Sequence, residues 1–439
     1  MVSAMGNVVR VGLLGCGTVG EAFAELLVER LAAVEDVTGI SLELARIAVR
    51  DPGKPRSVDV PAELFTGDPY DVVKADDIDV VVELIGGVAP ARELILAALE
   101  AGKPVITANK ELVAAAGPEL YAAADRGGVD FFFEAAAVAA VPILRPIRES
   151  LAGEEITRVA GIVNGTTNYI LTRMMGENLA FDEVLAAAQD LGYAEPDPTA
   201  DVTGADAASK LAILASLAFN QAVAADDVPR EGIVDLDRVD FELAAQFDYV
   251  IKLRAVADRF PADGDGAGAG AGQVGVQVFP ALVERDHPLA TVRGSFNAVF
   301  VNTTAAGELM FYGRGAGPRP SASSILGDVI AAADHLRRGT HRRVPVGAPA
   351  AIRPKEDLEY SFYVRTEVEE APGVLSEVTG VFGRHGVSIQ KVDQDGSESQ
   401  ARVVFVTFPA TERALNGALD ELRTLGHVRS IGRVLRIYK

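Results

Sequence analysis

The sequence predicts an α/β protein whose first part is a doubly wound parallel sheet, and three observations carry that prediction. An apolar run, Val8-Val-Arg-Val-Gly-Leu-Leu14, passes directly into Gly15-Cys-Gly-Thr-Val-Gly20 and then into a helical stretch reaching about Leu31. Strand and helix patterns go on alternating as far as Thr107, which is how chains that wind a parallel sheet read. Near the other end, residues 358–439 read strand, helix, strand, strand, helix, strand, a ferredoxin-like order.

The first strand and its glycine turn are the most specific of the early elements. Gly15 makes the tight turn, Gly17 lets the backbone approach a pyrophosphate, and Gly20 lets helix pack on strand. Thr18 and Val19 open the helix, whose N-terminal N–H groups and dipole favour phosphate. This is the context of a Rossmann-like dinucleotide-binding domain. The second strand, Leu42–Val49, ends at Arg50-Asp51, where such a domain reads the adenosine ribose. An acid there favours NAD and an arginine accepts the 2′-phosphate of NADP. With Lys54 and Arg56 nearby the charge logic points to NADP, and NAD is the alternative.

A strand at Asp79–Ile85 ends at Gly86-Gly87, and another, Pro104–Thr107, ends at Thr107-Ala-Asn-Lys110. Lys110 opens a helix, where the dipole opposes a cation, so its placement argues for a role other than stability. The strand Val129–Phe133 runs to Glu134 and a small-residue turn, Ala135 to Val141, closed by Pro142. Backbone carbonyls in such a turn, next to a carboxylate, could hold a hard cation. Cys16, inside the first glycine turn, reads as a small buried residue.

Residues 191–210, LGYAEPDPTADVTGADAASK, concentrate Glu195, Asp197, Asp201, Asp206 and Lys210 around a turn stiffened by Pro196 and Pro198. Asp206 and Lys210 stand four apart on an expected helix and share a face. Nine of the 41 basic residues are lysines, so a lysine here is a candidate acid or base, because lysine exchanges a proton where arginine does not. Downstream, Asp263–Gly272 is a glycine and alanine tract expected to form a flexible surface loop. Gly313-Arg-Gly-Ala-Gly317 opens a further helix, and the three prolines between Val344 and Pro354 read as a linker.

Composition excludes several classes. The 439 residues exceed one ordinary core, and 49% hydrophobic content with 6% aromatics and no Trp fits layered α/β structure. The formal charge of −21 repels nucleic acid and anionic membrane, so neither is an expected partner. A single cysteine precludes an intramolecular disulfide framework, and no signal-peptide or transmembrane run is recognised, so the expected location is the cytoplasm.

Over nearly its whole length the chain resembles the homoserine dehydrogenases that carry a C-terminal ACT domain. The resemblance rests on GLLGCGTVG, TANKEL at 107–112, GIVNGTTN at 161–168, the 191–210 block, HPLATVRGSFNAVFV at 287–301 and YGRGAGPRPSASS at 312–324. It implies a dinucleotide-binding domain at 1–135 and an α/β catalytic and dimerisation domain at 136–310. A helix at 311–343 would return to the first domain, and a linker at 344–357 would lead to an independent ferredoxin-like (ACT) regulatory domain at 358–439. It implies NAD(P)-dependent interconversion of L-aspartate 4-semialdehyde and L-homoserine, on the route to threonine, methionine and isoleucine. Glu195 and Asp206 would hold substrate, Asp201 would support them, Lys210 would exchange the proton, and Lys110 would serve as the second active-site lysine. Gly315 and Gly317 would close over the nicotinamide side.

The resemblance also implies a sodium ion beside Glu134, held with the carbonyls of the turn at Ala137, Ala139 and Val141. The family turn usually reads EAxVxGxIP, with glycines, however, and here glycines have become Ala and Val. If any of those positions needs φ > 0, Ala or Val is strained. The loop Glu370-Ala-Pro-Gly373 resembles the effector loop of ACT domains, which implies threonine feedback, and a homodimer or homotetramer is the expected assembly. The alternatives are a non-catalytic dinucleotide-bound amino-acid sensor and a related oxidoreductase acting on another amino-acid aldehyde.

Overall fold

The computed structural model describes residues 8–261, 272–397 and 400–438. Most of the expected loop at 263–272 therefore lies outside the described residues. The chain divides into two compact units. The first comprises residues up to Val159, Ala207–Val228 and Phe296–Ala350; the second comprises Ala160–Asp206, Pro229–Ser295 and everything from Ala351.

The first unit is organised around a six-stranded sheet of order β3-β2-β1-β4-β5-β6. Its strands are β1 (Val8–Leu14), β2 (Ser41–Ala48), β3 (Phe65–Thr66), β4 (Val80–Glu83), β5 (Val105–Thr107) and β6 (Phe131–Phe132). All neighbours are parallel, and β1 lies between β2 and β4, so the order reverses there. A doubly wound sheet opens a crevice at the carboxyl ends of the strands beside that reversal. Helix Pro318–Arg338 returns from far along the chain. Its Ile325, Val329 and Ala333 share one core with Phe23 and Leu27 of helix Thr18–Thr38.

In the second unit, strands Tyr249–Phe260 and Gln273–Glu284 pair antiparallel along their full length. Strand Val428–Tyr438 joins the second of these in parallel, with Arg436 opposite Ala281 and Tyr438 opposite Val283. Strands Glu359–Glu369, Gln400–Thr407 and Ile389–Ser397 extend the same sheet, and helices Val374–Arg384 and Glu412–Leu422 complete the expected βαββαβ order. Phe362, Val378, Phe382, Phe405, Leu415 and Leu419 give the module an apolar core of its own.

Two expectations about this end of the chain change. Within the stretch read as a linker, Ala351–Ile352 pairs in parallel with Gln273 and Val274, and Lys355–Asp357 forms a 3₁₀ turn. Nor is the module independent, because Arg436 is buried and bonds outside it. Its Nε donates to Glu412 at 2.6 Å, and an Nη donates to Glu231 at 2.8 Å. Its guanidinium also lies 4.6 Å from the centre of the Phe279 ring. An arginine desolvated in this way needs those acceptors, so module and neighbouring sheet stabilise one another.

Candidate active site

In the first unit, a cleft of about 750 Å³ lies at the reversal between β1 and β4. Gly15 and Gly17 after β1, Arg50 and Asp51 after β2, and Leu84 to Gly86 after β4 contribute to its walls. The three glycines differ in what they must do. Gly15 has φ +93°, and a Cβ there would sit 2.7 Å from the Leu84 carbonyl oxygen. A Cβ on Gly20 would collide with the Gly15 carbonyl, whereas one on Gly17 would meet nothing within 4 Å. The open face of Gly17 is thus free for a ligand, directly at the N-terminus of helix Thr18–Thr38.

The charged side of the cleft is shaped by its own turn. The Asp51 carboxylate accepts the Gly53 N–H at 2.9 Å. Arg56 donates to the carbonyls of Lys54 and Asp51 and lies 4.9 Å over the Phe65 ring. Arg50 is exposed. The open face of Gly17, a helix N-terminus and three cations suit the residues to a nicotinamide dinucleotide. Burial pushes the Cys16 thiol up to about 11, so it stays protonated and unreactive in the turn.

Lys110 is exposed at the start of helix Lys110–Gly127, capped by Asn109, whose side chain accepts the Leu112 N–H at 3.1 Å. Gly315 stands between strand Gly307–Arg314 and helix Pro318–Arg338, pressed against the amide of Asn297, so that a Cβ there would collide with it. Gly317 has φ +121° and is the N-cap of that helix.

The expected cation turn has a different structure. Residues Glu134–Val138 form a short helix, and Ala139 takes φ +41° in the place of the family's glycine, which costs about 1–3 kcal/mol. The strain is held by its neighbours, as the Ala139 carbonyl accepts from Ser324 Oγ at 2.6 Å and Ala140 N–H donates to the Arg314 carbonyl at 3.2 Å. Both oxygens of Glu134 are taken by backbone N–H groups of Ile143, Leu144 and Arg145 at 2.6 to 2.8 Å. Protein donors already satisfy the one carboxylate and the Ala139 carbonyl. The structure therefore does not support a sodium site on Glu134, Ala137, Ala139 and Val141.

In the second unit, the carboxylates of Asp201 and Asp206 meet on one amide. Asn164 Nδ2 donates to Asp201 at 2.6 Å and to Asp206 at 2.8 Å. Its Oδ1 accepts the N–H and hydroxyl of Thr167, capping helix Gly165–Glu177, so the amide orientation is fixed. Asn164 belongs to the GIVNGTTN stretch but was not singled out by sequence. Its signal is an asparagine between strand Ile156–Ile162 and that helix, which reads equally well as an ordinary N-cap. Asp206 and Lys210 lie one turn apart on helix Ala205–Phe219, and both are buried. Glu195 is exposed, ahead of the short helix Thr199–Val202, and is not part of the asparagine-bridged pair.

A crevice of this kind at the reversal of a doubly wound parallel sheet is that of a dinucleotide-binding α/β oxidoreductase. Residues 15–134 match the homoserine dehydrogenase NAD-binding domain, 142–330 the homoserine dehydrogenase domain, and 362–427 the ACT domain. The homoserine dehydrogenase of Corynebacterium glutamicum is 44% identical over 98% of this chain and 96% of its own. The crystal structure of a homoserine dehydrogenase from Thiobacillus denitrificans superposes with a TM-score of 0.88 at 35% identity, covering 98% of both chains. A hyperthermophilic archaeal homoserine dehydrogenase in complex with NADPH matches with a TM-score of 0.62 at 26% identity, over 76% of this chain and 99% of its own. The chain belongs to the homoserine dehydrogenase family.

Proposed function

We propose that the chain reduces L-aspartate 4-semialdehyde to L-homoserine, and runs the reverse oxidation, with NADP in preference to NAD. The carrying observation is the Asn164 amide that holds Asp201 and Asp206 together one helical turn before Lys210. Two fixed carboxylates suit the substrate ammonium, and Glu195 adds a third from the adjacent loop. The cleft walled by Gly15 and Gly17 would hold the dinucleotide, whose nicotinamide would supply or accept the hydride. As negative charge develops on the carbonyl oxygen, the Lys210 ammonium gives it a proton, and the neutral amine takes that proton back in the oxidation. Lys110, which follows the Asn109 whose amide donates to the Gly87 carbonyl next to the cleft-lining Gly86, is proposed to stabilise the reacting groups by its charge.

The preference for NADP is supported by Arg50, Lys54 and Arg56 at the end of β2, where the acid, Asp51, is turned back onto its own backbone. Such a turn offers cations to a 2′-phosphate and little to a free ribose hydroxyl. Threonine is proposed as an effector at the ACT module. Gly373, with φ +95°, turns the chain there into helix Val374–Arg384. A homodimer or homotetramer in the cytoplasm is the proposed working form. The test is cofactor reduction followed by absorbance, with L-homoserine and NADP⁺ or NAD⁺, repeated with added threonine. Faster reduction of NADP⁺ is expected; no turnover with either cofactor would overturn the reading.

A further inference from the structure

We infer that Glu83 is a positioning residue for Lys110, acting through Thr107 and Asn109. Glu83 ends β4 and is completely buried. One carboxylate oxygen accepts the backbone N–H of Ile85 at 2.7 Å and of Gly86 at 3.1 Å. The other accepts the Thr107 hydroxyl at 2.6 Å. That hydroxyl, with its proton committed to Glu83, accepts the Asn109 N–H at 3.0 Å. Asn109 then closes a ring, its amide donating to the Gly87 carbonyl at 2.7 Å while its Oδ1 caps the helix that Lys110 opens.

The ring joins two things that catalysis must keep in register. One is the turn after β4, whose Leu84, Ile85 and Gly86 wall the cleft and whose Leu84 carbonyl abuts Gly15. The other is the backbone immediately before Lys110. Burying a carboxylate for structure alone is costly, and a neutral residue could end this strand. What a carboxylate adds is an acceptor at both oxygens, which fixes the direction of every donor in the ring. In Glu83→Gln one terminal atom becomes a donor. It must then face either two backbone N–H groups or a hydroxyl that has lost its acceptor.

This inference rests on the proposed role of Lys110, and a double-mutant cycle separates the two. Glu83→Gln is expected to lower kcat for homoserine oxidation about tenfold to a hundredfold, since small misplacements of a working group cost that much, with a much smaller change in KM. In a Lys110→Ala background the same substitution is expected to cost nothing further. Thr107→Val, which cuts the ring at its hydroxyl, is expected to repeat the kcat loss, and Thr107→Ser to restore it. These two variants carry the test if Glu83→Gln does not fold. Additive losses, or lost cofactor affinity with kcat unchanged, would overturn the positioning role. Unchanged kcat in Lys110→Ala alone would instead overturn the reading of Lys110.

Discussion

The two compact units prepare for ligands by different means. Around the dinucleotide cleft the prepared surface is largely main chain, made by glycines whose missing side chains leave room and by the N-terminus of helix Thr18–Thr38. In the unit with the carboxylate cluster the prepared surface is side chain, two acids held at fixed separation by one asparagine. Backbone tolerates most substitutions that keep its path, whereas an acid pair depends on every member. The second unit also carries the ACT module in its sheet, tied by a buried arginine, so a change in one part of it bears on the other.

The largest expected effect is at the proposed proton donor. Lys210→Ala should lower kcat by about 10² to 10⁴ while cofactor affinity, measured by fluorescence titration, stays near wild type. A parallel loss of cofactor affinity would instead make Lys210 part of the cofactor site. Next is the seam of the second unit. Arg436→Ala leaves Glu412 buried without its cation and should cost about 3–5 kcal/mol in urea unfolding. For the same reason, removing residues 355–439 should unfold the second unit rather than yield a deregulated enzyme. A truncated protein with full turnover would make the module separable after all.

The glycines sharpen the contrast at lower cost. Gly17→Ala should leave the melting temperature unchanged, because nothing lies within 4 Å of the added methyl, yet weaken cofactor binding about tenfold. Gly20→Ala should destabilise by about 1–3 kcal/mol through its collision with Gly15. A further prediction concerns pH. Burial, with the neighbouring Glu134 carboxylate, pushes Asp328 up to about 7, although Arg145 lies 3.2 Å away. The unfolded carboxyl titrates near 3.9, about three units lower, so the folded form retains a proton that the unfolded form releases. Stability is then lost as pH rises between these values and levels off above. Asp328→Asn should flatten that slope in melting curves taken across it.

Much of the fold was legible because it follows from local chemistry. The strand, GxGxxG and helix at residues 8–20 can fold in few other ways, and the alternating elements fix a doubly wound sheet. The spacing of Asp206 and Lys210 gave their common helix face directly. The turn at Glu134 was not legible in this way. Its sequence reads as a carbonyl-lined loop, but whether its oxygens are vacant depends on Ser324 and on the N–H groups of Ile143 to Arg145.

By itself the sequence determined the element order, the glycine positions and the identity of the ionisable groups, because these depend on residues near one another along the chain. Tertiary structure alone decided which groups meet. Asn164 reaches across 37 and 42 residues to its two acids, and Arg436 crosses 205 to Glu231. It also decided that the segment at 344–357 is partly strand and that the C-terminal module shares a sheet. Hydrogen bonds between distant strands leave no periodic mark in a single sequence, so only the folded chain records them.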